Sequence, residues 1–127
     1  MLFWPVPGTI VYTLFLGVFR HKGIVSNRWC NGKPMVIANS QITRGVAEVA
    51  WDTFTAGNAW HIEGYPSNLS PFEVLYRARS LIGQPYNIAA SNCEHFVYRC
   101  HGQQQNSPQV AAILFVAVLG LLVAARS

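Results

Sequence analysis

The stretch SNCEHFVYRC, residues 91–100, carries the pattern from which we interpret the fold. Ser91 is followed three residues later by Glu94, a capping-box pattern that predicts a helix with Ser91 as its N-cap and Cys93 at its second position. Apolar side chains then recur at helical spacing, at Cys93, Phe96, Val97 and Cys100. The sequence therefore predicts a cysteine near the N-terminus of an amphipathic helix that packs on another layer of the fold.

Upstream of this helix, runs of β-branched, aromatic and aliphatic residues alternate with turn residues, which is typical of short strands. We predict strands over residues 9–15, 21–26, 35–39, 45–49 and 60–63. The Asn31-Gly32 pair between the second and third runs predicts a tight hairpin. Consecutive short strands with turns between them favour a meandering antiparallel sheet.

A second helix is predicted by the segment Ser70-Pro71-Phe72-Glu73. This segment combines an N-cap serine, a proline at the first helical position and a capping-box glutamate. Apolar residues follow at helical spacing, and Gly83 marks the expected end of the helix.

The C-terminal residues 110–125 are all apolar or glycine and end at Arg126. As a helix they would be about 24 Å long, somewhat less than the hydrocarbon core of about 30 Å. We interpret residues 110–126 as a transmembrane tail anchor, residues 103–109 as a polar linker and residues 1–102 as one domain; a buried core helix is the alternative for the tail. No basic residue precedes the uncharged N-terminal segment, which argues against a signal peptide. We therefore expect a single-pass, tail-anchored protein with its domain on the cytoplasmic side.

The chain has 127 residues, 51% of them hydrophobic and 11% charged, with 9 Lys and Arg against 5 Asp and Glu. This length fits one domain, and the mean hydropathy of +0.23 indicates that some apolar surface meets lipid. The basic residues are scattered, which argues against nucleic-acid binding. Residues 1–47 contain no acidic residue, which favours an anionic membrane surface, although solvated side chains are an equal alternative.

Cys93 admits three interpretations. Near a helix N-terminus, the backbone N–H groups and the helix dipole favour an anion, so a thiol there would have a lowered pKa and act as a nucleophile. A place on the apolar face is also typical of inert packing. A zinc site with His95, Cys100 and His101 would require an unwound helix, because residues 93 and 95 point in different directions. We expect no metal and no cofactor.

The hexapeptide Asn92–Val97, preceded by Gly83–Asn87, resembles the Cys box of the lecithin:retinol acyltransferase-like proteins, which include phospholipase A/acyltransferases. Upstream, Pro7-Gly8 and the segment Arg20–Val25 are similar to that family's first strand and its His-bearing second strand. The resemblance implies a permuted papain-like α+β fold, in which a small antiparallel sheet packs on the helix that bears the cysteine. A C-terminal membrane helix is common among the relatives.

The resemblance also implies roles for individual residues. Cys93 would be the nucleophile and His21 its general base, with acyl transfer through a thioester. Relatives usually carry a second histidine in the third strand, where this sequence has Ala38. We assign Asn39 as the orienting group instead, although strand alternation turns it to the opposite face, while Ser40 shares the face of Ala38.

The expected function is that of a membrane-tethered cysteine acyltransferase or hydrolase acting on acyl chains, with a phospholipid or another acyl substrate and the membrane as partners. Because the wider superfamily includes thiol peptidases and amidases, an enzyme of that kind is one alternative. The alanine at position 38 leaves another, a catalytically degenerate member that binds lipid or a partner protein without turnover.

Overall fold

The computed structural model describes residues 3–15, 19–87 and 92–103. Within these ranges the elements are β1 (Ile10–Phe15), β2 (Phe19–Cys30), β3 (Lys33–Ser40), β4 (Gly45–Val49), α1 (Trp51–Thr55), β5 (Trp60–Gly64), α2 (Pro71–Ser80) and α3 (Cys93–Cys100). The strands form one antiparallel sheet in the order β4-β3-β2-β1-β5. The predicted α+β class with a small antiparallel sheet is therefore confirmed.

The hairpin between β2 and β3 turns at Asn31 and Gly32, as the sequence predicts. Their φ angles are 53° and 73°, and two successive positive φ values are what a two-residue hairpin turn requires. The strand β2 is longer than the predicted run over residues 21–26. It continues to the turn because Trp29 and Cys30 still pair with β3 after an irregularity in the register.

One face of the sheet is covered by α2 and α3. The shared core consists of Ile10, Ile24, Ile37, Val46, Val74, Leu75, Ala78, Phe96, Val97 and Cys100. The helix α2 begins as predicted, because the hydroxyl oxygen of Ser70 accepts a hydrogen bond from the Glu73 N–H at 3.2 Å. The helix ends at Ser80, and a turn leads from there to Gly83. The Gly83 N–H donates a hydrogen bond to the Val46 carbonyl oxygen at 3.0 Å.

The opposite face of the sheet is covered by α1, a helix that the sequence does not predict. Five residues are too few to show helical periodicity, yet Trp51 and Phe54 of α1 are buried against β-strand residues Val11, Val25, Val36 and Ala38. Aromatic rings gather around α1. The chain's four tryptophans form one cluster with ring centroids 5.1 to 6.5 Å apart, namely Trp4, Trp29, Trp51 and Trp60.

The predicted tail anchor at residues 110–126 and nearly all of the predicted linker at 103–109 lie outside the described residues. In the part of the chain that the structure does describe, no helix has both the length and the apolar character needed to cross a membrane.

Candidate active site

The helix α3 begins one residue later than its capping-box pattern predicts. Asn92 is the N-cap, with extended backbone, and its side-chain oxygen accepts hydrogen bonds from the Glu94 N–H at 2.9 Å and the His95 N–H at 3.1 Å. The prediction of Ser91 as N-cap is therefore wrong, because the asparagine side chain already satisfies these two N–H groups. Cys93 becomes the first residue of the helix.

The Cys93 side chain packs against the backbone of β2. Its thiol donates to the carbonyl oxygen of Arg20, with Sγ and the oxygen 3.7 Å apart; this carbonyl belongs to the peptide that joins Arg20 to His21. Burial raises the pKa of the thiol, while the charge and backbone N–H of Lys22 oppose that rise. The expected lowering of the thiol pKa is thus not found, because desolvation outweighs the stabilising groups around the helix N-terminus.

The His21 side chain belongs to the other face of β2. Its imidazole stacks on the ring of Phe54 in α1, with the ring centroids 4.8 Å apart, whereas the neighbouring Lys22 faces α3. Burial lowers the pKa of His21, which keeps its imidazole neutral and able to accept a proton at pH 7. Within the described ranges, no hydrogen bond joins His21 to the Cys93 thiol; the sulfur instead contacts the peptide next to His21.

Ala38 and Ser40 of β3 share the face of His21. The three residues line one small pocket of about 90 Å³, which Phe54 of α1 also lines. A longer side chain at position 38 would project into this pocket beside the imidazole. Strand alternation predicts this shared face, and the position of Ala38 agrees with it.

Asn39 lies on the α3 face, as alternation also predicts. It is fully buried, and its amide nitrogen donates to the backbone carbonyl oxygen of Asn92 at 3.5 Å. The structure therefore brings Asn39 to the N-cap residue that precedes Cys93, and it does not bring Asn39 into the His21 pocket. In this position Asn39 can hold the start of α3 against the sheet.

Two residues near the thiol are missed by the sequence analysis. Lys22 is buried and forms ion pairs with Glu63 of β5 at 2.7 Å and Glu94 of α3 at 3.3 Å. Tyr86 has a pKa raised by burial and by the nearby Cys93 thiol. One feature of the sequence does indicate that Lys22 is buried and paired. Lys22 lies two residues before Ile24, on the core face of the same strand, where a lysine requires buried partners.

The other cysteine of α3 and the histidine that follows it have structural surroundings. Burial raises the pKa of Cys100 to about 12, so this thiol stays protonated in the core. His101 is buried and its Nε2–H donates to the Gly8 carbonyl oxygen, with the nitrogen and oxygen 2.7 Å apart. Within the described ranges, no group of three His, Cys, Asp or Glu residues could hold a metal ion.

Fold and site together define a class of protein, a small α+β domain whose antiparallel sheet packs against a helix that begins with a cysteine. A family model described as Lecithin retinol acyltransferase matches residues 19–106. Because the match covers more than half of the 127 residues, the chain belongs to this family, and the resemblance read from the Cys box is confirmed. Membership indicates an activity of the acyltransferase or hydrolase type. Comparison with curated proteins found no match.

Proposed function

We propose that this protein is a thiol-dependent acyltransferase or hydrolase of permuted papain-like type, with Cys93 as its nucleophile and His21 as its general base. The observation that carries the proposal is the contact of the Cys93 sulfur, at the first residue of α3, with the peptide next to His21. Family membership supplies the reaction type, the resemblance of the Cys box and of the second strand supplies Cys93 and His21 as the pair, and the contact puts the sulfur beside the backbone of His21.

The proposed reaction proceeds in two acyl transfers. The His21 imidazole takes the thiol proton, and the sulfur attacks the acyl carbonyl carbon of an ester. The ester bond breaks, the alcohol leaves with the proton from the imidazolium, and an acyl-Cys93 thioester remains. Water or an amine then attacks the thioester carbon, gives up a proton through His21, and releases a fatty acid or an amide together with the free thiol.

Proton transfer requires the imidazole to reach the sulfur. In the structure the imidazole stacks on Phe54 on the α1 face of β2, whereas α3, which carries Cys93, packs on the other face. The proposal therefore requires the His21 side chain to leave Phe54 and turn toward Cys93 when substrate binds. Burial supports the role of His21, because a lowered pKa leaves the imidazole neutral and ready to accept the proton.

We propose phospholipid as the acyl donor and the membrane as the place of reaction. Two features of the sequence support this, namely the apolar segment at residues 110–125 and the lack of acidic residues in residues 1–47. In this proposal residues 110–126 anchor the chain as a single-pass tail, residues 103–109 link it, and residues 1–102 lie on the cytoplasmic side against the lipid surface.

The test uses the full chain reconstituted in vesicles of mixed phospholipids. We expect release of fatty acid and lysolipid, and a mass increase of one acyl group on the peptide that contains Cys93. The Cys93→Ser variant should lose both signals, while Cys30→Ser, which alters a half-buried free cysteine on β2, should keep them. Absence of product and of acyl adduct in the native chain would contradict the proposal.

Two observations favour a second candidate, a family member that binds acyl lipid without turnover. Ala38 stands beside His21 where a longer side chain could orient the imidazole, and burial raises the pKa of Cys93. For this candidate the same vesicles should bind the native chain and the Cys93→Ser variant equally well, and neither protein should release fatty acid.

A further inference from the structure

A buried cluster of charged side chains lies beside the first turn of α3. The ammonium nitrogen of Lys22 is 2.7 Å from a carboxylate oxygen of Glu63 and 3.3 Å from one of Glu94. It also donates to the hydroxyl oxygen of Tyr98 at 2.7 Å. The side chains of Lys22 and Glu94 are only 4% and 5% exposed, so these charges depend on one another rather than on water.

The cluster connects three elements. Lys22 comes from β2, Glu63 from β5, and Glu94 and Tyr98 from α3. The Tyr98 hydroxyl donates to Glu63 at 2.9 Å, which closes a ring of polar contacts around the ammonium group. Burial lowers the pKa of Lys22, but the hydrogen bonds to Glu63 and Tyr98 more than offset this and the net shift is upward. The lysine therefore stays protonated.

Two members of this cluster, Glu94 and Lys22, lie next to the candidate nucleophile Cys93. Glu94 follows Cys93 in the chain, and the peptide before Lys22 lies next to the carbonyl that accepts the thiol hydrogen bond. Charges on Glu94 and on Lys22 of the facing strand act on the thiol, and a thiolate at Cys93 in turn raises the pKa of Tyr86 in the segment before α3. The carboxylate of Glu94 opposes a thiolate, and the ammonium of Lys22 favours one.

We propose that Lys22 is a positioning residue for Cys93, because its ammonium group ties the first turn of α3 to β2 and β5 and balances the charge of Glu94 beside the thiol. The inference rests on the proposed nucleophilic role of Cys93. Without Lys22, the poorly exposed Glu94 carboxylate beside the sulfur would lose the ammonium group that balances its charge, and the thiolate would form less readily.

The test measures the pH dependence of Cys93 alkylation by iodoacetamide, followed by mass spectrometry of the Cys93 peptide in the full chain. Alkylation needs a thiolate but no acyl turnover, so its result is independent of whether the protein hydrolyses lipid. We expect Lys22→Met to move the midpoint upward by about one pH unit. Below the midpoint this corresponds to a rate about tenfold lower.

Two further variants test the direction in which the pH midpoint of Cys93 alkylation moves. Lys22→Arg should keep the midpoint close to the native value, because a cation remains between the carboxylates. Glu94→Gln should move it downward, since a negative charge next to the sulfur is removed while Lys22 keeps Glu63 as a partner. If Lys22→Met fails to fold, the downward shift expected for Glu94→Gln still tests the inference, because this variant leaves the Lys22–Glu63 ion pair in place.

The matched control is Lys33→Met, which removes the same charge from an ion pair with Asp52 on the α1 side, at 2.8 Å and with the Asp52 side chain 70% exposed. It should leave the Cys93 midpoint unchanged. An unchanged midpoint in folded Lys22→Met, an equal shift in Lys33→Met, or an upward shift in Glu94→Gln would each overturn the inference.

Discussion

Replacing Asn92 with alanine removes the side-chain oxygen that caps α3. That oxygen accepts two backbone hydrogen bonds, from Glu94 at 2.9 Å and His95 at 3.1 Å, and the residue is only 4% exposed. Loss of an N-cap costs about 0.5–2 kcal/mol of protein stability. Because two donors lose their partner and water has little access to replace it, we expect about 2 kcal/mol, the upper end of that range.

The assay is urea unfolding followed by far-ultraviolet circular dichroism, which reports the helices. With a denaturant slope of about 2 kcal/mol per molar urea, the midpoint should fall by about 1 M while the slope stays constant. Cys93 is the first residue of the uncapped helix, so its alkylation by iodoacetamide in the native state should become faster as the first turn opens.

Ser70→Ala is the control, because it removes the N-cap of α2, which is exposed and accepts one hydrogen bond at 3.2 Å. We expect a loss of about 0.5–1 kcal/mol and no change in Cys93 alkylation. Asn92→Ser should keep most of the native stability, since a hydroxyl oxygen can also cap. A urea midpoint for Asn92→Ala equal to that of the native chain would refute the assignment of Asn92 as the cap.

Three further predictions concern other parts of the domain. In Gly45→Ala a Cβ would overlap the backbone carbonyl oxygen of Gln84, so we expect a loss of about 1–3 kcal/mol in urea unfolding; native stability would contradict this. Ala38→His places an imidazole in the pocket beside His21, and fatty-acid release should rise about tenfold or more; an unchanged rate would argue against an orienting role for this position. Burial lowers the pKa of His101, so the unfolded state binds the proton more readily and stability should fall as the pH drops through about 6.5. His101→Gln should flatten that pH dependence between about pH 7 and pH 6, and an unaltered dependence would show that other groups cause it.

Much of the fold could be predicted from local patterns. The Asn31-Gly32 turn, the Ser70 cap and the alternation that turns Ala38 and Asn39 to opposite faces all depend on neighbours in the sequence, and each agrees with the structure. One local prediction differs. The capping-box pattern predicts Ser91 as the N-cap, whereas Asn92 caps α3 because its side-chain oxygen accepts the hydrogen bonds from the Glu94 and His95 N–H groups.

The rest depends on contacts between distant parts of the chain. Helix α1 is too short to be periodic, and it is held by the burial of Trp51 and Phe54 against the sheet. The position of Cys93 on its helix predicts a lowered thiol pKa, yet burial of the sulfur against β2 raises that pKa. Lys22 pairs with Glu63 on β5 and Glu94 on α3, and no periodic pattern in the sequence predicts these distant ion pairs.

The gathering of all four tryptophans around α1 has a consequence for spectroscopy. Trp4, Trp29, Trp51 and Trp60 report on one side of the sheet, and α2 and α3 contain no tryptophan. Indole emission would therefore stay native-like in an intermediate that has released α3 but kept α1. In such a state, fluorescence and circular dichroism would give separate unfolding curves, and a protein whose emission is native could already have lost the helix that carries Cys93.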